Sequence, residues 1–376
     1  MGKTRVGIVT YDFYPFIGGQ GRHTLELWRR LKDDPALELH VFSPARNRLP
    51  RHHRQADALG RWGRHLSFSL VAGLRMQAWR RLYGIDLFHL NGGPGGVMLL
   101  GRPSAPVLYT VHHTYAQQAS LVPGQRWKWL LSALERPCYR RATRLVADSP
   151  STARSLVQDL GIASPRVSVI PSGVDTRLFR RLPVPRQPGC LLYVGRFDDR
   201  KGVRFLMESL PAILRLAPQA HLSLIGSGPL QGELESLVVS LGVGRHITFL
   251  GSVSNQELAR WYNRAVVVVV PSRFEGFGLT ALEALACGTP VVATNVDGLR
   301  DLPLGNGALV PFGDEGALAA AVARFADGRA VAGRGGTTGV REAYGWDGVA
   351  SRYREVYLET AFVEGVSRPA RGARSR

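Results

Sequence analysis

Five consecutive valines, Val266 to Val270, run between Ala265 and the pair Pro271-Ser272. Side chains branched at Cβ lose rotamer freedom in a helix and fit a pleated strand, so this run is a strand. A strand that is apolar on both faces has to be covered on both faces, which in a soluble chain means a parallel sheet between layers of helix. RVGIVTY (5–11), LELHVFSP (37–44), IDLFHLN (85–91), PVLYTVHH (106–113) and RLVADS (144–149) repeat the theme, with helix-like segments between them. RVSVIPSGVD (166–175) closes this half, and FRRLPVPRQPG (179–189) has the proline-rich composition of a linker. A second series follows in CLLYVGRF (190–197), AHLSLIGSGP (220–229), HITFLGSV (246–253), the valine run itself and TPVVATN (289–295). The expected fold is therefore α/β, with two doubly wound parallel-sheet domains.

A length of 376 residues suits two such domains at about 150 residues each. No stretch approaches the roughly 18 apolar residues of a membrane span, and MGKTRVGIVTYDFYP reads as a first strand and not as a signal peptide. A cytoplasmic location is the expectation. Cys138, Cys190 and Cys287 lie far apart without CxxC spacing, which argues against a disulfide framework and against zinc. The formal net charge is +19, nearly all of it arginine. Between Arg46 and Arg81 the basic residues interleave with Trp62, Phe68, Leu70, Leu74 and Trp79. Two readings stay open: a basic amphipathic helix in peripheral contact with an anionic membrane at the inner face of the cell, or a solvated basic face whose aromatics pack on the core. Nucleic acid is not an expected partner, because no helix-turn-helix, zinc-finger spacing or aromatic RNA-binding motif accompanies the charge. The tail SRPARGARSR has the composition of a disordered basic end.

In open parallel sheets ligands bind beyond the carboxyl ends of the strands. GRFDDRKG (195–202) follows a strand directly and places Arg196 and Lys201 there, ahead of a helix beginning near Val203. Two fixed cations at a helix start suit a pyrophosphate, although an exposed turn of mixed charge looks similar. EGFGLTALEA (275–284) adds Gly276 and Gly278, which let the backbone turn so that the amides of Phe277, Gly278, Leu279 and Thr280 face a ligand. Glu283, near the start of the following helix, can accept two hydroxyls of a ribose, and Glu275 before the turn can hold a second polyol. Each acid has a plainer reading, a surface residue for Glu275 and a first-turn acid for Glu283, but not the pair together with two glycines and the neighbouring cations. No GxGxxG follows the first strand, which argues against a dinucleotide oxidoreductase. A sugar-nucleotide epimerase of the same architecture is the nearer enzyme rival, and a basic membrane-surface binding module is the non-enzymatic one.

Taken together, VIPSGVD (169–175), YVGRFDDRKG (193–202), LIGSGP (224–229) and PSRFEGFGLTALEALACGTPVVATNVDG (271–298), with its Glu, seven residues, Glu pattern, resemble the retaining GT-B glycosyltransferases, specifically glycosyltransferase family 4. YPFIGGQGRHTLELWRRL (14–31) is similar to that family's glycine-rich loop and first helix, so the resemblance covers about residues 5 to 360. It implies a GT-B fold, two Rossmann-like domains facing across a cleft. Residues 1–181 would bind the acceptor and 188–345 the nucleotide-sugar donor, a helix over 346–363 would cross back to the first domain, and 364–376 would form the tail. It implies transfer of a sugar from a UDP- or GDP-sugar, UDP slightly favoured, to a hydroxyl of a sugar or lipid-linked acceptor, with retention and without a cofactor or metal, as in cell-envelope glycan synthesis. Carried over by position, Arg196 and Lys201 neutralise the departing diphosphate, Glu275 binds the transferred sugar, Glu283 the ribose, and Val253 lies by the base. The amides from Phe277 through Gly278 and Leu279 to Thr280 approach sugar and phosphate, and Gly19 belongs to the loop closing on phosphate and acceptor. His112, with His113 beside it, is similar to the family's active-site histidine near the sugar's 6-hydroxyl. Consecutive strand residues point to opposite faces, so only one of the two points inward.

Overall fold

The structure, a computed structural model, describes residues 2–13, 19–44, 53–55, 64–92, 104–121, 129–328 and 334–362. The chain divides into two units, residues 1–172 with 347–376, and residues 173–346. In the first unit β1 (Thr4–Thr10), α1 (Gly19–Leu31), β2 (Leu37–Ser43), β3 (His53–Gln55), α2 (Arg64–Tyr83), β4 (Leu87–Gly92) and β5 (Val107–Val111) are followed by α3 (Tyr115–Leu121), α4 (Trp129–Arg141), β6 (Arg144–Ala147), α5 (Pro150–Gln158) and β7 (Val167–Val169). The seven strands are parallel in the order β3-β2-β1-β4-β5-β6-β7, with β4, β5 and β6 side by side. The edge strand β3 carries no apolar run and is not expected from the sequence.

The second unit contains β8 (Cys190–Val194), α6 (Val203–Glu208), α7 (Leu210–Leu216), β9 (His221–Ile225), α8 (Gln231–Ser240), β10 (Ile247–Gly251), α9 (Asn255–Arg264), β11 (Val267–Val270), α10 (Leu279–Ala286), β12 (Val291–Thr294), β13 (Ala308–Val310), α11 (Glu315–Ala323) and α12 (Arg334–Tyr344). Its six parallel strands run β10-β9-β8-β11-β12-β13. The valine run behaves as its composition requires. Val267 and Val269 enter one hydrophobic cluster with Leu191, Tyr193 and Val292, while Val268 and Val270 enter another with Cys190, Leu192 and Ala293. Both faces are thus covered, and each fully buried valine contributes on the order of 1.5–3 kcal/mol. Helix starts carry their own signals: Ser254 and Glu257 form a reciprocal capping box on α9, and Ser149 followed by Pro150 starts α5.

Two boundaries differ from the sequence reading. Residues 173–181, assigned there to the first domain, pack with the second unit, because Val174 and Phe179 are buried in the cluster that contains Tyr262 and Leu282. The stretch expected as a linker is also bonded along the second unit, through Leu182 N to Asn263 Oδ1 (2.8 Å), Gln187 N to Arg264 O (2.9 Å) and Gly189 N to Ala326 O (2.8 Å). The last helix, α13 (Trp346–Ala361), belongs to the first unit from Asp347 onward. There Tyr353 bonds Thr110 Oγ1 at 3.0 Å and Tyr357 bonds His89 Nδ1 at 2.7 Å. The tail beyond residue 362 lies outside the described residues.

Within α2, Phe68, Ala72, Met76 and Trp79 recur at helical spacing and are buried in the first unit's core. The basic face read from Arg46 to Arg81 is therefore narrower than the sequence implied: the two aromatics turn inward and Arg80 is buried with them, while Leu70, Leu74 and Leu82 stay exposed beside Arg75 and Arg81. Arg46 and Trp62 lie outside the described residues. Among those described, no helix is long and apolar enough to cross a membrane.

Candidate active site

In the second unit the site is built at the carboxyl ends of β8 and β11. After β8 the chain passes Arg196 and Phe197 into a 3-10 turn, Asp199–Lys201. Asp198 is extended and its Oδ1 accepts from Lys201 N at 3.0 Å, which caps the turn and aims the lysine. Gly202 then takes φ +65°, and a Cβ there would sit 1.9 Å from Pro271 O, so only glycine lets this turn lie against the end of β11. The contact is fixed by Arg273 N donating to Arg200 O at 2.9 Å. Packed this way, Lys201 Nζ reaches Glu275 Oε2 at 2.5 Å, and Ser272 Oγ donates to the same oxygen at 3.2 Å. Burial alone would raise the Glu275 carboxyl, but Lys201 and Arg200 outweigh it and hold the group below its ordinary value. Two residues 74 apart in sequence, a cation expected at the diphosphate and an acid expected at the sugar, thus form one ion pair.

Arg196 is placed differently. Its side chain is 63% exposed and its Nε lies 3.5 Å from Asp198 Oδ2, so the two cations of the motif address different groups. The glycine turn carries Glu275 into α10: Gly278 is left-handed (φ +93°) and Leu279 begins the helix. No side chain of the cap residue covers that end, and the first-turn amides of a helix lack intrahelical partners. Thr280 Oγ1 lies 3.4 Å from Val194 O, which sets the start of α10 beside the end of β8. Phe277 packs its ring 6.0 Å from that of Tyr344 and is buried. Glu283 is not a first-turn residue, since α10 starts only at Leu279. It lies one turn further in, almost fully buried, where Tyr262 donates its hydroxyl to Oε2 at 2.9 Å. Val253 is half-buried just before the α9 cap and packs on the same cluster as Phe277. Among the described residues no three His, Cys, Asp or Glu side chains gather as a metal site would require.

In the first unit a second polar cluster lies at the carboxyl ends of β4, β5 and β6. His112 turns inward and is 6% exposed, with Nδ1 3.0 Å from Asp148 Oδ2 and Nε2 2.9 Å from Asn91 Oδ1. His113 is only half-buried. Asn91 Nδ2 donates to Thr24 Oγ1 on α1, and the His23 ring stands edge-on 5.1 Å from that of His112. Burial pushes Asp148 up to about 6 against the pull of His112. Burial also drives His89 down to about 3 and His23 well below its ordinary value, so these two are neutral. Gly19 opens α1 as an exposed residue, and the loop residues 14–18 before it lie outside those described. The sequence reading missed Asn91, Asp148, Ser272 and Tyr262. Three of these left a trace, a polar residue terminating an apolar strand; Tyr262 left none, because only the packing of α9 on α10 brings it to Glu283.

A family model described as Glycosyltransferase Family 4 matches residues 17–178, and one described as Glycosyl transferases group 1 matches residues 188–327. The chain is 33% identical over 309 residues to D-inositol 3-phosphate glycosyltransferase 1 of Catenulispora acidiphila, covering 76% of this chain and 74% of that one. Among solved structures, sucrose-phosphate synthase of Thermosynechococcus elongatus superposes with a TM-score of 0.78 at 24% identity, over 95% of this chain and 99% of that one. The Anabaena protein HepE in complex with UDP and glucose gives 0.73 at 18% identity, over 94% and 99%.

Proposed function

The chain belongs to glycosyltransferase family 4, with the GT-B fold, and on that premise we propose that it moves a sugar from a nucleoside-diphosphate sugar to a hydroxyl of an anionic acceptor with retention at the anomeric carbon. The observation that carries this reading is the ion pair of Lys201 with Glu275 at the start of α10. It joins a phosphate-seeking cation to a hydroxyl-accepting carboxylate that lies about one turn of chain before the uncapped end of a helix. In the reaction the bond from the anomeric carbon to the β-phosphate oxygen breaks and negative charge gathers on the diphosphate. Lys201, Arg196 and the amides of Phe277, Gly278, Leu279 and Thr280 stabilise that charge, the part a magnesium ion plays in other transferases. Glu275 holds hydroxyls of the sugar, Glu283 turns from Tyr262 to the ribose, and Val253 borders the base. The acceptor oxygen attacks from the face the diphosphate leaves and passes its proton to a departing phosphate oxygen. Membership of a transferase family sets aside the epimerase alternative.

UDP is the favoured nucleotide, in keeping with the UDP bound to HepE. The acceptor is read as anionic because the chain carries +19 and the curated relatives are named for an inositol phosphate. Titrating UDP, GDP, ADP and uridine in EDTA tests the donor site. UDP should raise the melting temperature most, and Lys201→Ala should weaken UDP by about tenfold or more while leaving uridine unchanged, the cost of one charge-assisted contact. No shift with any nucleotide, or equal losses for UDP and uridine, contradicts the assignment. Membrane contact is read onto α2, where Leu70, Leu74 and Arg81 share a stripe at helical spacing. Replacing Leu70 and Leu74 by serine should abolish sedimentation with anionic vesicles, and unchanged sedimentation removes this part of the reading.

A further inference from the structure

We propose that Asp148 and Asn91 are positioning residues that hold His112 with a proton on both ring nitrogens, so that it serves the site as a fixed cation and not as a base. The proposal rests on the reading of His112 as a site residue. The back-bond of Thr24 to its own helix sets the direction of the network. Thr24 Oγ1 donates its proton to Gln20 O at 3.0 Å, the back-bond of a helical threonine, so its oxygen is left to accept from Asn91 Nδ2. That turns the amide of Asn91 and presents its carbonyl Oδ1 to His112 Nε2 at 2.9 Å, where a hydrogen bond requires an N–H. On the other side Asp148 Oδ2 faces Nδ1 at 3.0 Å, and Thr152 Oγ1 donates to Asp148 Oδ1 at 3.4 Å, as suits a carboxylate. Both ring nitrogens therefore meet oxygen acceptors.

Asn91 and Asp148 are 2% and 1% exposed, and a carboxylate so placed needs a cation. The other titratable neighbours do not supply one: His23 on α1 and His89 on β4 are held neutral by burial, and Tyr353 on α13 is a neutral phenol. His112 is the cation that matches Asp148. The competing arrangement puts the proton on Asp148 and leaves the imidazole neutral. It holds the same number of protons as the ion pair, so pH does not choose between the two; the Thr152 hydroxyl donated to Oδ1 is what favours the carboxylate.

Nitrogen-15 spectra of the full chain labelled at histidine, with His112 identified by its loss in His112→Gln, decide between the two. At pH 7 the wild type should show two protonated ring nitrogens. Asp148→Asn should convert the ring to a single neutral tautomer and lower kcat by about 10- to 100-fold, with KM for the donor changed less than about threefold. Asn91→Asp keeps an oxygen before Nε2 and should keep the doubly protonated spectrum, a check that does not depend on Asp148→Asn folding. An unprotonated ring nitrogen in the wild type at pH 7 overturns the proposal, as does Asp148→Asn with an unchanged spectrum. A chain that shows the doubly protonated ring yet turns over no nucleotide sugar sustains the network and defeats the transferase reading instead.

Discussion

Glu275 Oε2 is shared between Lys201 Nζ and Ser272 Oγ, so this carboxylate is both ionised and aimed before any donor arrives. Arriving hydroxyls compete with Ser272, and an arriving diphosphate competes for Lys201. Glu275→Gln should therefore keep or slightly tighten nucleotide affinity, because it frees the ammonium, while transfer falls by about 100-fold or more for want of the sugar-binding acid. Calorimetric titration with UDP beside a transfer assay checks both halves, and near-normal transfer contradicts the role. The same carboxyl has a folded pKa depressed below the ordinary 4.5. Its contribution to stability is present above that value and is lost as the pH falls through the lower folded one. The Gln variant should thus lose less stability in acid than the wild type.

At the scale of elements, α10 and the 3-10 turn after β8 owe their relation to glycines that no side chain could replace. A Cβ on Gly202 would strike Pro271 O, and one on Gly298 would come within 2.6 Å of Glu275 O, so the turns after β8, β11 and β12 meet backbone to backbone. In the first unit α3 is held by an acid from α4: Tyr115 N donates to Glu135 Oε2 at 2.7 Å and Tyr139 OH to Oε1 at 3.1 Å. Burial pushes this carboxyl up to about 8 from an ordinary 4.5. The folded state thus binds a proton that the unfolded chain releases. That contribution is complete below about 4.5 and lost as the pH rises through about 8. Denaturant melts from pH 5 to 9 should show stability falling across that range, and Glu135→Gln, always uncharged, should flatten the fall. Parallel curves for the two proteins would contradict a protonated Glu135.

On the scale of the whole molecule, the chain leaves the first unit at Ser172 and returns to it at Asp347, so the first unit is completed by its last helix. Val349, Tyr353, Val356 and Tyr357 are buried there, and Arg354 Nε donates to Asp34 Oδ2 at 2.8 Å. Truncation after residue 345 strips His89 and Thr110 of their tyrosine partners, each loss costing about 1–3 kcal/mol, and exposes the apolar face beneath. The truncated chain should lose the calorimetric transition of the first unit and become protease-sensitive within residues 64–172, while residues 173–345 stay folded. Two intact transitions would show that α13 is dispensable.

How much of this could be read along the chain follows from the range of the forces involved. Both parallel sheets and their strands other than the short edge strands β3 and β13 were legible, because burial on two faces demands an unbroken apolar run, and such runs are local. The motif after β8 and the glycine turn before α10 were legible for the same reason: turn chemistry is written in neighbouring residues. Pairing was not legible. Lys201 meets Glu275 because β8 and β11 are neighbours in the sheet, and Asn91, His112 and Asp148 form a row because β4, β5 and β6 are. Strand order also decided which histidine of the pair faces Asp148. It is set by the summed packing of every helix and strand in a unit, and no short stretch of residues contains that sum.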